Sequence, residues 1–449
     1  MKGGQAVKPR FRLLACALAV CLLSGCGLSY EELYSLPRAS EDYYDLQSAL
    51  NGIEAEGLNY LAPASGARQE PVQLTDLDGD GVDEAVAFFR SAAGEVKIYI
   101  LSQQDGVYAP AAVLDGAGTA VSSVEYADLD GSGNLELLIT CQVSESVPQA
   151  LQVYRYADAE ATTMLTASCS RYALYDLDDD ALPEMLCLTG SGSDSPVVLE
   201  CYDYADGELR RIGEQRLRFS YDSLRQTRYG QLEQEVSGIL LSGVSPEGQL
   251  LTDVFAVRDG TLTAVSPREE ILTSSPVHSY YVYPEDLDGD GILEIPQTRQ
   301  LPAYDSGSAA QWVIDWYSLA ENGTSRRLFT TYQNFSENWY LSLLDAWAED
   351  LTIKAGDESP TVSTVTFCQT RAGGTPQEIL TIYTLRGAQR QTYAAEHSLT
   401  TLFSDSETIF AVTLAAAEPW EGTVTLGEIA EMFHYTAVGG KQAATEQNG

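Results

Sequence analysis

Asp76-Leu77-Asp78-Gly79-Asp80-Gly81-Val82-Asp83-Glu84 is the stretch on which the reading of this chain turns. It returns as Asp128-Leu129-Asp130-Gly131-Ser132-Gly133-Asn134-Leu135-Glu136 and as Asp176-Leu177-Asp178-Asp179-Asp180-Ala181-Leu182-Pro183-Glu184. A fourth copy reads Asp286-Leu287-Asp288-Gly289-Asp290-Gly291-Ile292-Leu293-Glu294. Oxygens at positions one, three and five of so tight a loop converge on one point. Glycine at position six permits the sharp turn, position seven turns its carbonyl inward, and position nine adds an acid. An all-oxygen cage of this kind suits a hard cation such as Ca²⁺. Mg²⁺ usually keeps several waters, and no Cys or His stands in the loops to favour a softer metal. The predicted ligands are Asp76, Asp78, Asp80, Val82 and Glu84; Asp128, Asp130, Ser132, Asn134 and Glu136; Asp176, Asp178, Asp180, Leu182 and Glu184; and Asp286, Asp288, Asp290, Ile292 and Glu294. That allows up to four structural calcium ions. The competing reading is a solvated Asp/Gly turn without metal, since both residues favour turns for reasons of their own. Four copies at matching places weigh against it.

An EF-hand closes its loop with Glu at position twelve and is flanked by helices. Position twelve here is Ala87, Ile139, Cys187 and Gln297, and strand-like residues follow the position-nine acid. A second apolar strand recurs at Val96–Leu101, Leu151–Tyr156, Val197–Tyr204 and Trp312–Leu319. First positions of the loops are 52, 48 and 110 residues apart. The long gap spans about two periods, and residues 224–266 have the strand signature of a unit whose loop has degenerated. Units of about 50 residues with three or four short strands suggest β-propeller blades. With its Asp-x-Asp-x-Asp-Gly-x-x-Asp/Glu loops, this region resembles the FG-GAP and VCBS-type repeats of bacterial surface proteins. The resemblance implies calcium held on propeller blades. Ala181 at the glycine position, Pro183 before Glu184 and Ser132 at position five depart from the pattern, which ranks loops one and four best and loop three last. The expected fold is mainly β: a propeller-like array of about five four-stranded repeats over residues 71–334, followed by a small α+β domain over 335–440 and a tail at 441–449. Five is few for a closed ring, so a sixth blade from a terminal segment or an open array both remain.

The N-terminus reads as an export signal. Lys2, Lys8, Arg10 and Arg12 precede an apolar run from Leu13 to Leu23, which has the length of a signal h-region. Leu23-Ser24-Gly25-Cys26 resembles the lipobox of bacterial lipoproteins, which implies cleavage after residue 25, lipidation of Cys26 and an extracytoplasmic, membrane-anchored protein. The chain of 449 residues carries 26 basic and 65 acidic residues, a net charge of −39. Loss of residues 1–25 removes four basic residues and no acid, leaving −43. Such a surface disfavours nucleic acid and electrostatic docking on anionic lipid.

Residues 26–70 predict one amphipathic helix over Glu41–Gly57, with Tyr44, Leu46, Leu50 and Ile53 on its apolar side, and a linker into the first blade. Downstream of the repeats, strands are expected at Leu351–Ile353, Thr361–Gln369, Ile379–Gly387 and Thr408–Leu414. A helix follows over Thr425–Phe433, where Glu428 completes a capping box. At the level of fold alone, this segment resembles small α+β domains of the PsbP type. Five Cys follow Cys26, an odd number that argues against a disulfide scaffold. A hairpin centred near Asp194 would set Cys187 opposite Cys201; the two are either a disulfide or buried thiols. His278, His397 and His434 fall in no metal or nucleophile motif. The expectation is a non-enzymatic, calcium-stabilised surface module that binds a protein or glycan. The alternatives are an extracytoplasmic polysaccharide-acting hydrolase or a purely structural envelope protein.

Overall fold

The computed structural model describes residues 41–144, 149–192, 196–234, 236–265, 271–348, 350–370, 376–415 and 422–436. The export signal, Cys26 and the C-terminal tail lie outside these residues. Among the described residues, no helix is long and apolar enough to cross a membrane.

Six antiparallel sheets follow one another along the chain. The first comprises strands at 72–75, 84–90, 96–104 and 107–115, with 59–60 pairing beside 72–75 on the same strand. The second comprises 120–127, 136–142, 149–157 and 160–169, and the third 171–175, 184–189, 196–205 and 208–220. The fourth runs through 224–233, 236–244, 250–258 and 261–264, with 273–274 added at its edge. Its first two strands are separated by two residues where sheets one to three carry a loop, as expected of the degenerate copy. The fifth contains 295–300, 312–319, 325–334, 339–343 and 433–435; the sixth contains 351–359, 362–369, 377–386, 408–414 and 400–404 in spatial order. Helices are α1 (Glu41–Ala55), α2 (Asp345–Ala348), α3 (Arg390–Glu396) and α4 (Leu426–Met432). Thr425 accepts from the Glu428 N–H and its own N–H is taken by the Glu428 carboxylate, the expected capping box.

Sheets pack face to face, and the second strand of each early sheet shows why. Glu84–Arg90 is buried at every residue but the last. Val86 and Phe88 point into a core shared with Val121, Leu137 and Ile139 of sheet two. Ala85, Ala87 and Phe89 face the other way and meet Leu46, Leu50 and Ile53 of α1. A strand buried on both faces reads as a continuous apolar run rather than an alternation. The same division recurs at Leu137 to Cys141, at Met185 to Leu188 and at Ile239 to Leu241, so each junction of neighbouring sheets has its own core.

The ends of this stack are covered by helices. α1 lies on the outer face of sheet one with Leu46, Leu50 and Ile53 buried and Tyr44 exposed, which takes Tyr44 out of the predicted apolar side. α3 places Ala394 against Val362, Leu385, Ile409 and Ala411 on the outer face of sheet six. Among the described residues no core cluster joins sheet six to sheet one. With α1 on sheet one and α3 on sheet six, the array is propeller-like in its blades and carries a helix at each end. Residues 339–343 and 433–435, read from sequence as part of a C-terminal unit, complete sheet five. One core runs from Val313 and Tyr332 through Trp339 to Phe367 and Phe410, joining sheets five and six.

Cys141, Cys169, Cys187, Cys201 and Cys368 are all free and buried. The suggested Cys187–Cys201 bridge is corrected by one step of register. Cys187 stands opposite Glu200, and Cys201 opposite Leu186. Adjacent positions point to opposite faces, so Cys187 lies in the core between sheets two and three and Cys201 in the core between three and four. A hydrogen bond with Cys169, reinforced by burial, pushes the Cys187 thiol far above its ordinary range.

If α1 is the cap that sheet one depends on, Leu50→Ala should cost about 2–5 kcal/mol in urea unfolding, the usual range for a buried Leu. A cost below about 1 kcal/mol would show that the helix is dispensable.

Candidate cation-binding loops

Loops one to three leave the first strand of their sheet and return at the position-nine glutamate, which opens the second strand; loop four is closed by an isolated Glu285–Glu294 bridge and leads into the first strand of sheet five. One hydrogen bond is common to all of them. The Oε2 of Glu84, Glu136, Glu184 and Glu294 accepts the backbone N–H of Leu77, Leu129, Leu177 and Leu287, at 2.9, 2.9, 2.5 and 2.8 Å. The position-one aspartate then gathers the loop tip. Asp76, Asp128, Asp176 and Asp286 accept through Oδ2 from the N–H of residue six at 2.9, 3.0, 3.0 and 3.0 Å. In loops one, two and four Oδ1 also accepts from the glycine at position four, at 2.8, 2.8 and 2.7 Å. The side chain at position five caps the N–H of residue seven: Asp80 for Val82, Ser132 for Asn134, Asp180 for Leu182 and Asp290 for Ile292.

Positions four and six are both left-handed in every copy. Gly79 and Gly81 have φ of 71° and 86°, and the corresponding glycines of loops two and four behave alike. Loop three makes the same turn with Asp179 at 61° and Ala181 at 72°. The position-four requirement escaped the sequence reading, although Gly79, Gly131 and Gly289 were its signal. Loop three retains the geometry at the cost of strain at Ala181, and Asp176 Oδ1 is left without a partner.

Among the acidic side chains, those of positions one, three and nine come closest together. Ligand atoms of positions one, three and nine lie within 4.8 Å of one another in all four loops: Asp76, Asp78 and Glu84; Asp128, Asp130 and Glu136; Asp176, Asp178 and Glu184; Asp286, Asp288 and Glu294. Position five joins this group only in loop four, as Asp290. In loop one Asp80 and Val82 line a cavity of about 380 Å³ together with Asp78 and Glu84 of the cluster, Ser102 and Tyr156.

Burial makes the position-nine glutamates poor anions without a counter-charge. Desolvation, opposed by the Leu77 N–H and reinforced by neighbouring aspartates, holds Glu84 up to about 7. The same causes hold Glu294 up to about 7, and Glu184 up to about 8 with Asp203 adding repulsion. Glu184 Oε1 and Glu294 Oε1 have no hydrogen-bond partner although both residues are fully buried. A buried carboxylate oxygen facing two further carboxylates, with nothing to accept, is a costly arrangement in the absence of a cation.

A further residue faces each cage from the next strand, and sequence reading missed it. The hairpin pairs Ala85 with Leu101, Leu137 with Tyr154, Met185 with Tyr202 and Ile295 with Tyr317, and the same register carried one residue further sets Ser102 beside Glu84, Arg155 beside Glu136, Asp203 beside Glu184 and Ser318 beside Glu294. Arg155 forms ion pairs with Asp130 and, at 3.3 Å through Nε, with Glu136 Oε1. Desolvation is outweighed at Asp130 by the Ser132 hydroxyl and N–H and by this guanidinium, so its carboxyl is lowered where those of Asp78 and Asp178 are raised by burial.

The loops are also structural joints. Leu77, Leu129 and Leu177, at position two, are buried in the cores between their own sheet and the next. The Leu77 carbonyl accepts the Leu135 N–H at 2.9 Å, tying loop one to loop two.

No protein-family model matches the chain, and no curated protein matches it in sequence. Solved structures similar to it include a protein from Lactobacillus plantarum at 8% identity, covering 70% of this chain and 85% of that one, with a TM-score of 0.26. A Bacillus licheniformis rhamnogalacturonan lyase is similar at 12% identity over 72% of this chain and 71% of its own, TM-score 0.28. The rhamnogalacturonan lyase YesW is similar at 13% identity over 71% and 76%, TM-score 0.29. Likeness at this level carries no argument about activity.

Ala181→Gly, which relieves a left-handed alanine while keeping every side-chain oxygen of loop three in place, should stabilise the fold by about 1 kcal/mol in chemical unfolding. No gain would mean that loop three does not make this turn.

Proposed function

We propose that the chain is an exported, lipid-anchored surface protein whose calcium-stabilised stack of sheets serves as a binding module for a protein or glycan partner. The observation that carries the calcium reading is the fully buried Glu294, with one carboxylate oxygen hydrogen-bonded to Leu287 and the other unpartnered beside Asp286, Asp288 and Asp290. This donor set of oxygens fits Ca²⁺, and Glu184 repeats it with Asp176 and Asp178. The ion would supply positive charge at the one place where buried anions converge. The residues do the rest: position-one aspartates fold the loop tip, and position-two leucines carry its order into the cores between sheets. The reading as a member of the FG-GAP and VCBS-type repeats rests on the spacing of these loops and their place between strands.

Export and anchoring rest on the basic segment, the apolar run and Leu23-Ser24-Gly25-Cys26. The net charge of −39 supports a partner other than nucleic acid.

Calcium should raise the thermal midpoint in a concentration-dependent way, since a ligand that binds only the folded state contributes about 2.7 kcal/mol at a hundredfold excess over its Kd. An unchanged midpoint after chelation at low ionic strength would overturn the calcium reading. Cys26→Ala should move the protein from the membrane fraction to the soluble one, and retention in the membrane would overturn the anchor. Glycan and protein arrays probed with the calcium-loaded protein should show saturable binding; turnover of a polysaccharide in a parallel assay would replace the binding-module reading with an enzymatic one.

A further inference from the structure

The four cages share a backbone but differ in what faces them. At the register position opposite the position-nine glutamate stand a hydroxyl in loop one, a guanidinium in loop two, a carboxylate in loop three and a hydroxyl in loop four. We propose that Arg155 is a built-in counter-ion that occupies the cation position of loop two, so that the chain takes up three calcium ions rather than four. The inference rests on the calcium reading above and refines it.

The atoms that Arg155 engages are the atoms an ion would need. Its Nε lies 3.3 Å from Glu136 Oε1, the oxygen whose counterparts on Glu184 and Glu294 have no partner. Its guanidinium also pairs with Asp130, the position-three ligand, whose side chain is 6% exposed. Calcium would require those oxygens at roughly 2.3–2.6 Å, and a guanidinium already paired with them sets a positive charge against the ion and offsets the anions that would draw it in. The next sheet keeps Arg155 in place: its guanidinium carbon sits 5.2 Å from the Tyr204 ring centre. Loop two is also the poorest cage in charge. Its nine residues contain three acids, with Ser132 in place of the usual aspartate, against five acids in loop one. Loop three shows the opposite arrangement. Asp203 adds a carboxylate beside Glu184, and that cage has two unpartnered oxygens, Asp176 Oδ1 and Glu184 Oε1. The facing residue, more than the loop motif, therefore decides loading, and loop three takes an ion despite Ala181.

The test is a calcium count by equilibrium dialysis on the metal-stripped protein and two variants. The wild type should bind three ions, Arg155→Ser four, and Ser102→Arg, which installs the guanidinium at loop one, two. Four ions in the wild type, or three in a folded Ser102→Arg, would overturn the proposal while leaving the calcium reading intact. An unchanged count in Arg155→Ser would also overturn it. No ion bound by the wild type would overturn the calcium reading itself. The wild-type count and the Ser102→Arg count stand even if Arg155→Ser fails to fold.

Discussion

A buried glutamate that accepts the N–H of the residue seven positions earlier is the interaction on which this structure depends. It closes each loop, places one carboxylate oxygen among two aspartates, and starts the strand that is covered on both faces. A hydrogen bond to charged carboxylate contributes more than a neutral one. Yet the same burial penalises the charge it uses, and the second oxygen of Glu184 and Glu294 is left with nothing inside the protein. Fold and cation chemistry are thus the same problem. In the units that carry a loop, the glutamate brings the strand into the core, and its charge is unfavourable there alone.

Around this interaction the sheets share the burden unequally. Leu77, Leu129 and Leu177 connect three loops directly to inter-sheet cores, whereas the fourth sheet joins its first two strands by a short turn and relies on Leu232, Leu240 and Val254 for its junction. Loop four compensates from the other side. Its Leu293 N–H donates to the Gln231 carbonyl at 2.8 Å, so the loop of sheet five pins the unit that lacks one. A solenoid-like stack is stabilised by such nearest-neighbour terms more than by any central core.

Much of this was legible in the sequence because it is written at short range. Strand 408–414 and the capping box at Thr425 and Glu428 follow from spacing within about ten residues, and the missing loop of the fourth unit from the period of about 50 residues. What was not legible depends on register. Cys187 and Cys201 were one residue out of alignment, enough to send them into different cores. Asp80 and Asp180 stand at the expected loop position but outside the close cluster of carboxylates, while Asp290 is inside it, a difference of side-chain placement that the shared spacing does not encode. Arg155 was invisible for the same reason as the thiols. Nineteen residues separate it from Glu136, and only the hairpin pairing brings them side by side.

Helical lids at both ends have a consequence for how many units such a protein can hold. A ring has a set number of blades, because each must take its share of the full circle. A stack that ends in α1 on one side and α3 on the other carries no such condition. A unit of about 50 residues could be added to or removed from the middle, and both lids would still find the same faces. Each addition would bring its own loop, its own glutamate and its own choice of Ser, Arg or Asp opposite. Length and ion requirement would then vary independently, since a longer member built with arginine-facing loops would need no more calcium than a shorter one.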